Sequence, residues 1–422
     1  MKPYIRFLTL LAFNRVYDSK TLTLILGSGT GSTRLRTRAV GSNHIKKIVY
    51  TKRERTVHSA TLYVLTQEGL DYLAEKDGAF RKYILADADI ELCPLRVGDR
   101  IKKRKEKIAR DNVALTVAEV AGAHIPYDNY TTNLYDSYYD DSTEEEEENS
   151  KPQERLPFST FLKETLTERD LSKIGLYKAT EKNKGKLEFH SASFIKTVSG
   201  DANSFSSSAD FLKGRYGGVI DSTKKSVFLF AAPMFGMPWS KWLTQKEWTT
   251  YELWKKTHAL ASTEQLRKTG SCSAIIVDNS TQFKNLYTDV DDAMRSEAEE
   301  FGGDFDHCYI IPQDKFGTQH LAWLMEHDDQ ELTETITESA ISSGAYFKNV
   351  SVFSKYFPLM DENGTDTALG FLFDAKALLR IEGMARRNEK INFALLCYPW
   401  QENYYRAVLP PNVEVTPIAQ EE

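Results

Sequence analysis

Cysteine is scarce in this chain of 422 residues, and long apolar runs are missing from it. The four cysteines are dispersed, with neither a CxxC pair nor the cysteine–histidine spacing of a zinc site. Their scatter argues against a disulfide framework and predicts buried free thiols in a reducing compartment. No apolar stretch approaches the roughly 18 residues that a membrane-spanning helix needs. We therefore expect a cytoplasmic protein with no membrane partner.

Complete catalytic motifs are also missing. The glycine run at residues 27–31 lacks the lysine of a P-loop, and no GxSxG nucleophile elbow occurs. A restriction-nuclease-like centre needs an acid on one strand and an acid-x-lysine on the next, which together hold a divalent cation. Asp278 and the adjacent pair Asp314-Lys315 match that pattern only in part. We assign no catalytic residue, metal ligand or cofactor, and we keep a metal-dependent nuclease with a restriction-like C-terminal domain as an alternative.

Histidine and aspartate are concentrated in one stretch of the C-terminal half, at Asp304, Asp306, His307, His320 and His327. His320 and His327 are seven residues apart, whereas metal-binding pairs on a helix usually lie three or four apart. We interpret these histidines as surface or core residues whose hydrogen bonds are satisfied, and not as a metal site.

Charge is distributed unevenly along the chain. The whole chain has 54 Lys and Arg against 60 Asp and Glu, a net charge of −6. Residues 1–110 hold 23 basic and 11 acidic side chains, a balance of +12, which leaves 31 basic and 49 acidic residues, or −18, for the rest. A basic end on an acidic body is typical of a polyanion-binding module joined to a non-binding one.

The first 40 residues predict three helices. Residues 4–16 have helical apolar spacing, Asp18 or Ser19 can cap a second helix that ends near Ile25, and Ser32–Val40 forms a third. At about 100° per residue, Leu35 and Ala39 of the third helix face the core. The outer face then carries Arg34, Thr37 and Arg38, and Arg36 lies on the flank. Arginines at such positions can contact guanine edges in the major groove or phosphates.

A basic hairpin follows the third helix. Ile45–Thr51 and Thr61–Leu65 are rich in β-branched and aromatic residues, and Lys52–Arg55 is too charged to bury, so it predicts the turn. Thr66 can cap the next helix, Gln67–Lys76. The hairpin cations suit phosphate oxygens or an A·T-rich minor groove, and they are Lys46, Lys47, Lys52, Arg53, Arg55 and His58. The alternative is an edge hairpin that uses lysines to discourage aggregation.

A short arginine-bearing helix followed by a basic hairpin is how a winged helix grips duplex DNA. This arrangement resembles the winged-helix DNA-binding proteins of plasmids and integrative elements known as the replication-relaxation family. The resemblance is carried by Arg34-Leu-Arg36, the hairpin and the segment TLYVLTQEGLDYL, Thr61–Leu73. Phe189–Lys196 and the segment GRYGGVIDSTKKSVFLFAAP are similar to companion domains of such proteins. The resemblance implies a role near a plasmid origin, as an accessory protein in replication, relaxation or mobilisation of the element, or in regulation of its genes. We expect double-stranded DNA as a partner, with a second copy of the chain and replication or mobilisation proteins as further candidates.

The remaining chain predicts an α/β domain behind an acidic linker. Residues 135–148 are too rich in carboxylates for a buried core. We predict an α+β protein in three parts: a winged helix-turn-helix with a following basic helix (Asp99–Ala123) over 1–125, an acidic disordered linker over 126–155, and a C-terminal mixed α/β domain over 156–422. Alternative functions are a transcriptional regulator that uses the same winged helix and a protein-interaction adaptor.

The C-terminal domain is predicted to alternate short strands with helices. The predicted strands are Tyr216–Asp221, Val227–Ala232, Ala274–Val277, Cys308–Ile311 and Ile391–Cys397. The predicted helices are Glu247–Leu260, Asp289–Glu300, Thr318–Glu326 and Asp374–Arg387.

Overall fold

The computed structural model describes residues 3–14, 16–27, 30–54, 56–76, 111–125, 183–192, 216–231, 270–288 and 306–418. Within these ranges the chain is mixed α and β, with three sheets, which confirms the predicted α+β class. Contacts divide the chain into two compact units. Unit 1 is Met1–Asp221 with Pro233–Gly236, and unit 2 is Ser222–Ala232 with Met237–Glu422. The predicted linker, residues 126–155, and the helices predicted at 247–260 and 289–300 lie outside the described residues.

Among the described residues, the first part of unit 1 consists of four helices and a small antiparallel sheet of three strands. Its elements are α1 (Pro3–Asn14), β1 (Val16–Asp18), α2 (Ser19–Leu26), α3 (Thr30–Gly41), β2 (Ile45–Glu54), β3 (Thr56–Leu65) and α4 (Gln67–Lys76). The strand order is β1-β3-β2, and Val16 pairs with Val64 at one edge. The predicted first helix, which ran to Val16, is therefore too long. Val16 and Tyr17 are fully buried in β1, where β-branched and aromatic side chains pack well.

The core of these elements is made by the apolar stripe of α1. Phe7, Leu8 and Leu11 are fully buried and belong to one cluster with Leu22 of α2 and Leu73 of α4. As predicted, Asp18 caps α2, since its carboxylate accepts the backbone N–H groups of residues 20 and 21 at 2.8 and 3.1 Å. Thr66 caps α4 in the same way, accepting the N–H of residue 69 at 3.2 Å.

Helix α4 lies against the turn that follows α3. A Cβ added at Gly69 would lie 2.1 Å from the carbonyl oxygen of His44, so only glycine allows this approach. That same carbonyl accepts the N–H of Thr66 at 3.1 Å. The start of α4 is thus fixed by backbone contacts to the residue where α3 passes into β2.

Unit 1 also contains helical residues 111–120 and the strands β4 (Leu187–Ser191) and β5 (Gly218–Ser222). The predicted long helix Asp99–Ala123 is described only from residue 111. There Leu115 is 3% exposed, and Asn112 donates its amide to the carbonyl of Val16 at 2.6 Å. This segment therefore packs as core within unit 1.

Unit 2 contains two groups of strands with helices between them. Its elements are β6 (Lys225–Ala231), β7 (Gly270–Val277), α5 (Ser280–Thr288), β8 (His307–Pro312), α6 (Lys315–Glu326), α7 (Asp329–Ser342), β9 (Tyr346–Lys348), β10 (Leu359–Asp361), β11 (Asp366–Leu369), α8 (Ala375–Arg387), β12 (Phe393–Cys397), α9 (Glu402–Val408) and β13 (Val413–Pro417). Strands β6, β7 and β8 run parallel, and the other sheet has the order β13-β12-β11-β10-β9. Each predicted strand and helix that falls on described residues of unit 2 overlaps an observed element.

A buried polar network joins the helices of unit 2 to its parallel strands. The Lys225 ammonium lies 2.6 Å from the Asp329 carboxylate, which also accepts the Tyr309 hydroxyl at 2.5 Å. The His307 Nδ1 lies 2.9 Å from the Asp374 carboxylate, which accepts the N–H of residue 308 as well and caps α8. These contacts hold the starts of α7 and α8 at the amino ends of β6 and β8.

The network also sets the protonation state of its histidine. Burial disfavours the charged imidazole of His307, but the hydrogen bond and charge of Asp374 and the charge of Asp329 outweigh it, so the pKa of His307 is raised. Burial likewise opposes ionisation of Asp374, yet its hydrogen bonds from His307 and from backbone N–H groups lower the pKa of that carboxyl. When it is protonated, His307 balances the charge of the Asp374 carboxylate, as Lys225 balances that of Asp329.

Replacing Gly69 with alanine tests the contact between α4 and the α3–β2 turn. We expect Gly69→Ala to lower the free energy of unfolding by about 1–3 kcal/mol, because the new methyl group must displace backbone atoms. Urea denaturation followed by circular dichroism gives the value. Gly31→Ala is the matched control, since a Cβ there meets nothing within 4 Å. Equal stability of the two variants would contradict the close approach.

The pH dependence of stability tests the His307 network. A raised folded-state pKa means that the stabilisation is fully present below the unfolded value of about 6.5 and is lost as the pH rises through the folded value. We expect the urea midpoint of the wild-type protein to fall over that window and the fall to be reduced in His307→Gln. His327→Gln serves as the control, because His327 forms no ion pair among the described residues. The same pH profile in His307→Gln and wild type would refute the network's role.

Candidate nucleic-acid interface

Helices α2 and α3 are locked together by Arg36. Its guanidinium donates to the carbonyl oxygen of Ser19 at 3.2 Å and to the Ser19 hydroxyl, and it lies 5.8 Å from the centre of the Tyr63 ring. Both partners belong to unit 1, one at the start of α2 and the other on β3. Arg36 is half-buried at the flank of α3, and its side chain orients the two helices with respect to each other.

The opposite side of α3 faces solvent. Ala39 is fully buried and Leu35 packs against the same cluster, as the angular spacing predicts. Arg34, Thr37 and Arg38 are exposed. A helix of twelve residues with its small apolar face inward and these polar side chains outward presents a cationic surface that can enter a groove.

Arg38 packs on a group of three rings, those of Tyr4, His44 and Tyr72. The Arg38 guanidinium lies 4.4 Å from the centre of the Tyr4 ring, a cation–π distance. The Tyr4 hydroxyl is hydrogen-bonded to Nδ1 of His44 at 2.8 Å, and the His44 ring stacks on Tyr72 with centroids 4.4 Å apart. Partial burial and the nearby Arg38 charge lower the pKa of His44, which favours the neutral imidazole beside the Tyr4 hydroxyl.

The β2–β3 hairpin extends from the end of this helix. Lys46 and Lys47 at the start of β2 are exposed. The two strands pair without interruption from Ile45↔Leu65 to Glu54↔Thr56. Lys52 and Arg53 therefore continue β2 instead of forming the turn predicted at 52–55, because pairing with β3 satisfies their backbone hydrogen-bonding groups. Lys52 pairs with His58 in the backbone register, and Arg55 lies outside the described residues.

Arg34, Arg38, Lys46 and Lys47 are the exposed cations of α3 and the start of β2. Within the part of the chain that the structure describes, no carboxylate lies within salt-bridge distance of Arg34, Arg38, Lys46 or Lys47. Buried Lys225 in unit 2, by contrast, has a carboxylate at 2.6 Å. Cations without an intramolecular counterion are available to an external anion, and their effect on one is long-ranged at low salt.

The other sequence candidates do not converge on a site. Asp278 is exposed after β7, while Asp314 caps α6 by accepting the N–H of Gly317 at 2.9 Å. Nε2 of buried His320 is hydrogen-bonded to the carbonyl of residue 372 at 3.2 Å, and Nδ1 of His327 to that of residue 323 at 2.8 Å. No group of three or more potential metal ligands occurs among the described residues.

Two further predictions from the sequence concern the cysteines and membrane-spanning helices. The three described cysteines, Cys272, Cys308 and Cys397, are free and buried, as predicted. Burial raises the pKa of each of these thiols to about 12. None of the helices in the described ranges is long and apolar enough to cross a bilayer.

Comparison of the chain with protein-family models, with curated proteins and with solved structures found no match. Sequence reasoning missed the supporting roles of Tyr4, His44 and Tyr72. Their only sequence signal is an aromatic or histidine at the edge of each of three separate elements, which no local pattern connects.

Substitution of Arg36 separates its positioning role from the role of the exposed arginines. We expect Arg36→Ala to lower the free energy of unfolding by about 1.5 kcal/mol, because hydrogen bonds to a charged group are lost and Ser19 loses a partner. Arg34→Ala, on the exposed face of the same helix, should change stability by less than about 0.5 kcal/mol. Parallel urea titrations measure both. A destabilisation by Arg34→Ala as large as that by Arg36→Ala would contradict the assignment.

Proposed function

We propose that unit 1 binds duplex DNA as a winged helix, in an accessory protein that serves the replication, relaxation or mobilisation of a mobile element. The observation that carries the proposal is the outer face of α3. Its exposed polar and cationic side chains have no carboxylate partner among the described residues, and an exposed pair of lysines follows at the start of β2. The order α1-β1-α2-α3-β2-β3-α4, with a β1-β3-β2 sheet, supports it, because a winged helix places a hairpin directly after its recognition helix.

Each group has a distinct part in this proposal. Arg34 and Arg38 reach guanine O6 and N7 in the major groove, and Thr37 contacts a base edge or phosphate between them. Lys46 and Lys47 contact phosphate oxygens where the hairpin leaves the helix. The hairpin residues Lys52, Arg53, Arg55 and His58 extend the contact along the backbone or into the minor groove; this assignment comes from the sequence. The mobile-element context comes from the resemblance of the N-terminal segment.

Preorganisation explains why this surface can bind with few contacts. The ring of Tyr4 holds the Arg38 guanidinium at 4.4 Å, and Arg36 fixes the angle of α3 through Ser19. Side chains that are already ordered lose less conformational entropy when they meet the duplex. The phosphate contacts supply affinity, and the orientation of α3 determines which base edges are read.

Fluorescence anisotropy with the full chain and a labelled duplex tests the proposal over a series of salt concentrations. We expect the logarithm of the binding constant to fall linearly with the logarithm of salt concentration. Lys46→Ala and Lys47→Ala should each flatten that slope by about 0.9, because one phosphate contact is lost. Arg34→Ala should weaken binding to a sequence selected from a random pool by about 1–3 kcal/mol, with little effect on other sequences.

Lys315→Ala is the matched control, because Lys315 is an exposed lysine of unit 2 on α6. It should leave both the affinity and the salt slope unchanged. Absence of DNA binding at low salt, or a loss in the control as large as in Lys46→Ala, would refute the winged-helix proposal.

A further inference from the structure

Exposed apolar side chains are concentrated at one edge of unit 2. Phe347 of β9 is 52% exposed, and Val350 and Val352 in the loop that follows are 87% and 90% exposed. They are three of the seven exposed large apolar side chains among the described residues, and they lie within six positions. A single exposed valine is ordinary, but such a group beside a strand marks an interaction surface.

The loop that carries the two valines is braced from within. The Asn349 side-chain amide donates to the carbonyl of Phe357 at 2.7 Å and to the Asp366 carboxylate at 2.5 Å. The Ser351 hydroxyl donates to the same carboxylate at 2.7 Å. These hydrogen bonds fix the loop to β11, so the apolar side chains are presented on a rigid support and need little ordering on binding.

Within the described ranges, the backbone of β9 has a hydrogen-bonding strand on one side only. Strand β9 ends the sheet, and among the described residues its hydrogen-bonding partner is β10 alone. The N–H of Asn349 donates to the carbonyl of Pro358 at 2.9 Å, so by alternation Phe347, two residues earlier, is the next to bond with β10. Tyr346 and Lys348 consequently direct their backbone N–H and C=O groups outward.

We propose that β9 pairs in antiparallel fashion with β9 of a second copy of this chain, centred on Phe347. In that register the outward groups of Tyr346 bond with those of Lys348 in the second copy, and the reverse pair is equivalent by two-fold symmetry. Phe347 then faces its own counterpart as a non-hydrogen-bonded pair, in which Cβ atoms lie about 4.5 Å apart. The braced valines extend the apolar contact beside this pair.

The charges of β9 favour a second copy as the occupant. Centring on Phe347 places exposed Lys348 opposite Tyr346 and keeps the two lysines of the dimer from facing each other, which would be destabilising. Tyr346 in turn pairs with Asp361 on β10. Across the new sheet, Lys348 of one copy lies opposite Tyr346 of the other, and Asp361 lies on the far side of that Tyr346. The edge is thus complementary to itself.

The pairing of two strands of three residues makes a small interface. Such contacts belong to the transient class, below about 1,200 Å² of buried surface. We therefore expect a dimer with a dissociation constant on the order of 10 µM, which dissociates on dilution.

Residues on a two-fold axis pair with themselves, which allows a decisive experiment by sedimentation velocity with the full chain. Phe347→Glu and Phe347→Lys should each be monomeric at concentrations where the wild-type protein is dimeric, because like charges meet at the axis. An equimolar mixture of the two variants should recover the dimer, since Glu then faces Lys. Phe316→Glu is the matched control; Phe316 is 55% exposed on α6, away from β9 in sequence, and its replacement should leave the dimer intact.

Three outcomes would overturn the proposal. The first is a wild-type protein that remains monomeric up to about 0.1 mM. The second is a dimer that persists in Phe347→Glu alone. The third is a mixture of the two charged variants that stays monomeric, although each variant shows the wild-type circular dichroism spectrum and urea midpoint; this result would place the contact away from the axis.

Discussion

The hydrogen bonds from Arg36 to Ser19 hold α3 at a fixed angle on α2, and the cationic surface of unit 1 depends on that angle. The inner face of α3 contributes little to this, because Ala39 and Leu35 are small or only partly buried. A helix with so narrow an apolar stripe gains modest hydrophobic stabilisation from packing. Arg36 supplies the missing constraint from the polar side. Gly69 allows α4 to pack against His44, in the turn that follows α3.

Buried Lys225 of unit 2 and the exposed cations of α3 and β2 have different electrostatic surroundings. In unit 2, Lys225 is buried and its charge is balanced by Asp329, with Tyr309 satisfying the other carboxylate oxygen. Breaking a buried pair of this kind leaves an uncompensated charge, so it is a structural element of unit 2. Arg34, Arg38, Lys46 and Lys47 are exposed to water, where their attraction to a distant polyanion is screened but not cancelled. Exposed cations of this kind suit a partner that binds reversibly.

Local chemistry made part of the fold predictable. Asp18 and Thr66 are caps because their short oxygen-bearing side chains suit the first turn of a helix, and the β-branched and aromatic residues of Thr61–Leu65 favour a strand. Three-residue strands such as β1 and β9 carry too few positions for a period to emerge. Helix α7 was missed because Thr333, Thr335 and Thr337 suggest a strand, whereas their hydroxyls bond the carbonyl four residues earlier within the helix.

The site was predictable on α3 and less so around it. The angular position of Arg34, Thr37 and Arg38 follows from helical geometry alone, so their common exposure could be derived from the sequence. The contact of Arg38 with Tyr4 could not, because it joins residues that are far apart in the chain and is decided by how α1 packs. Arg36 shows the same limit: its place on the flank is local information, but its bond to Ser19 depends on the crossing of two helices.

A weak dimer would complement the proposed interface. If both proposals hold, each dimer carries two DNA-binding units, and occupation of one half-site raises the effective concentration of the second unit near the other. The association energy of the pair then depends on DNA that offers both half-sites, and a two-fold symmetric protein favours a palindromic arrangement of them. A strong interface would remove this dependence, because the dimer would already be formed in solution. The shortness of β9, with its lone central phenylalanine, would suit assembly of this DNA-dependent kind.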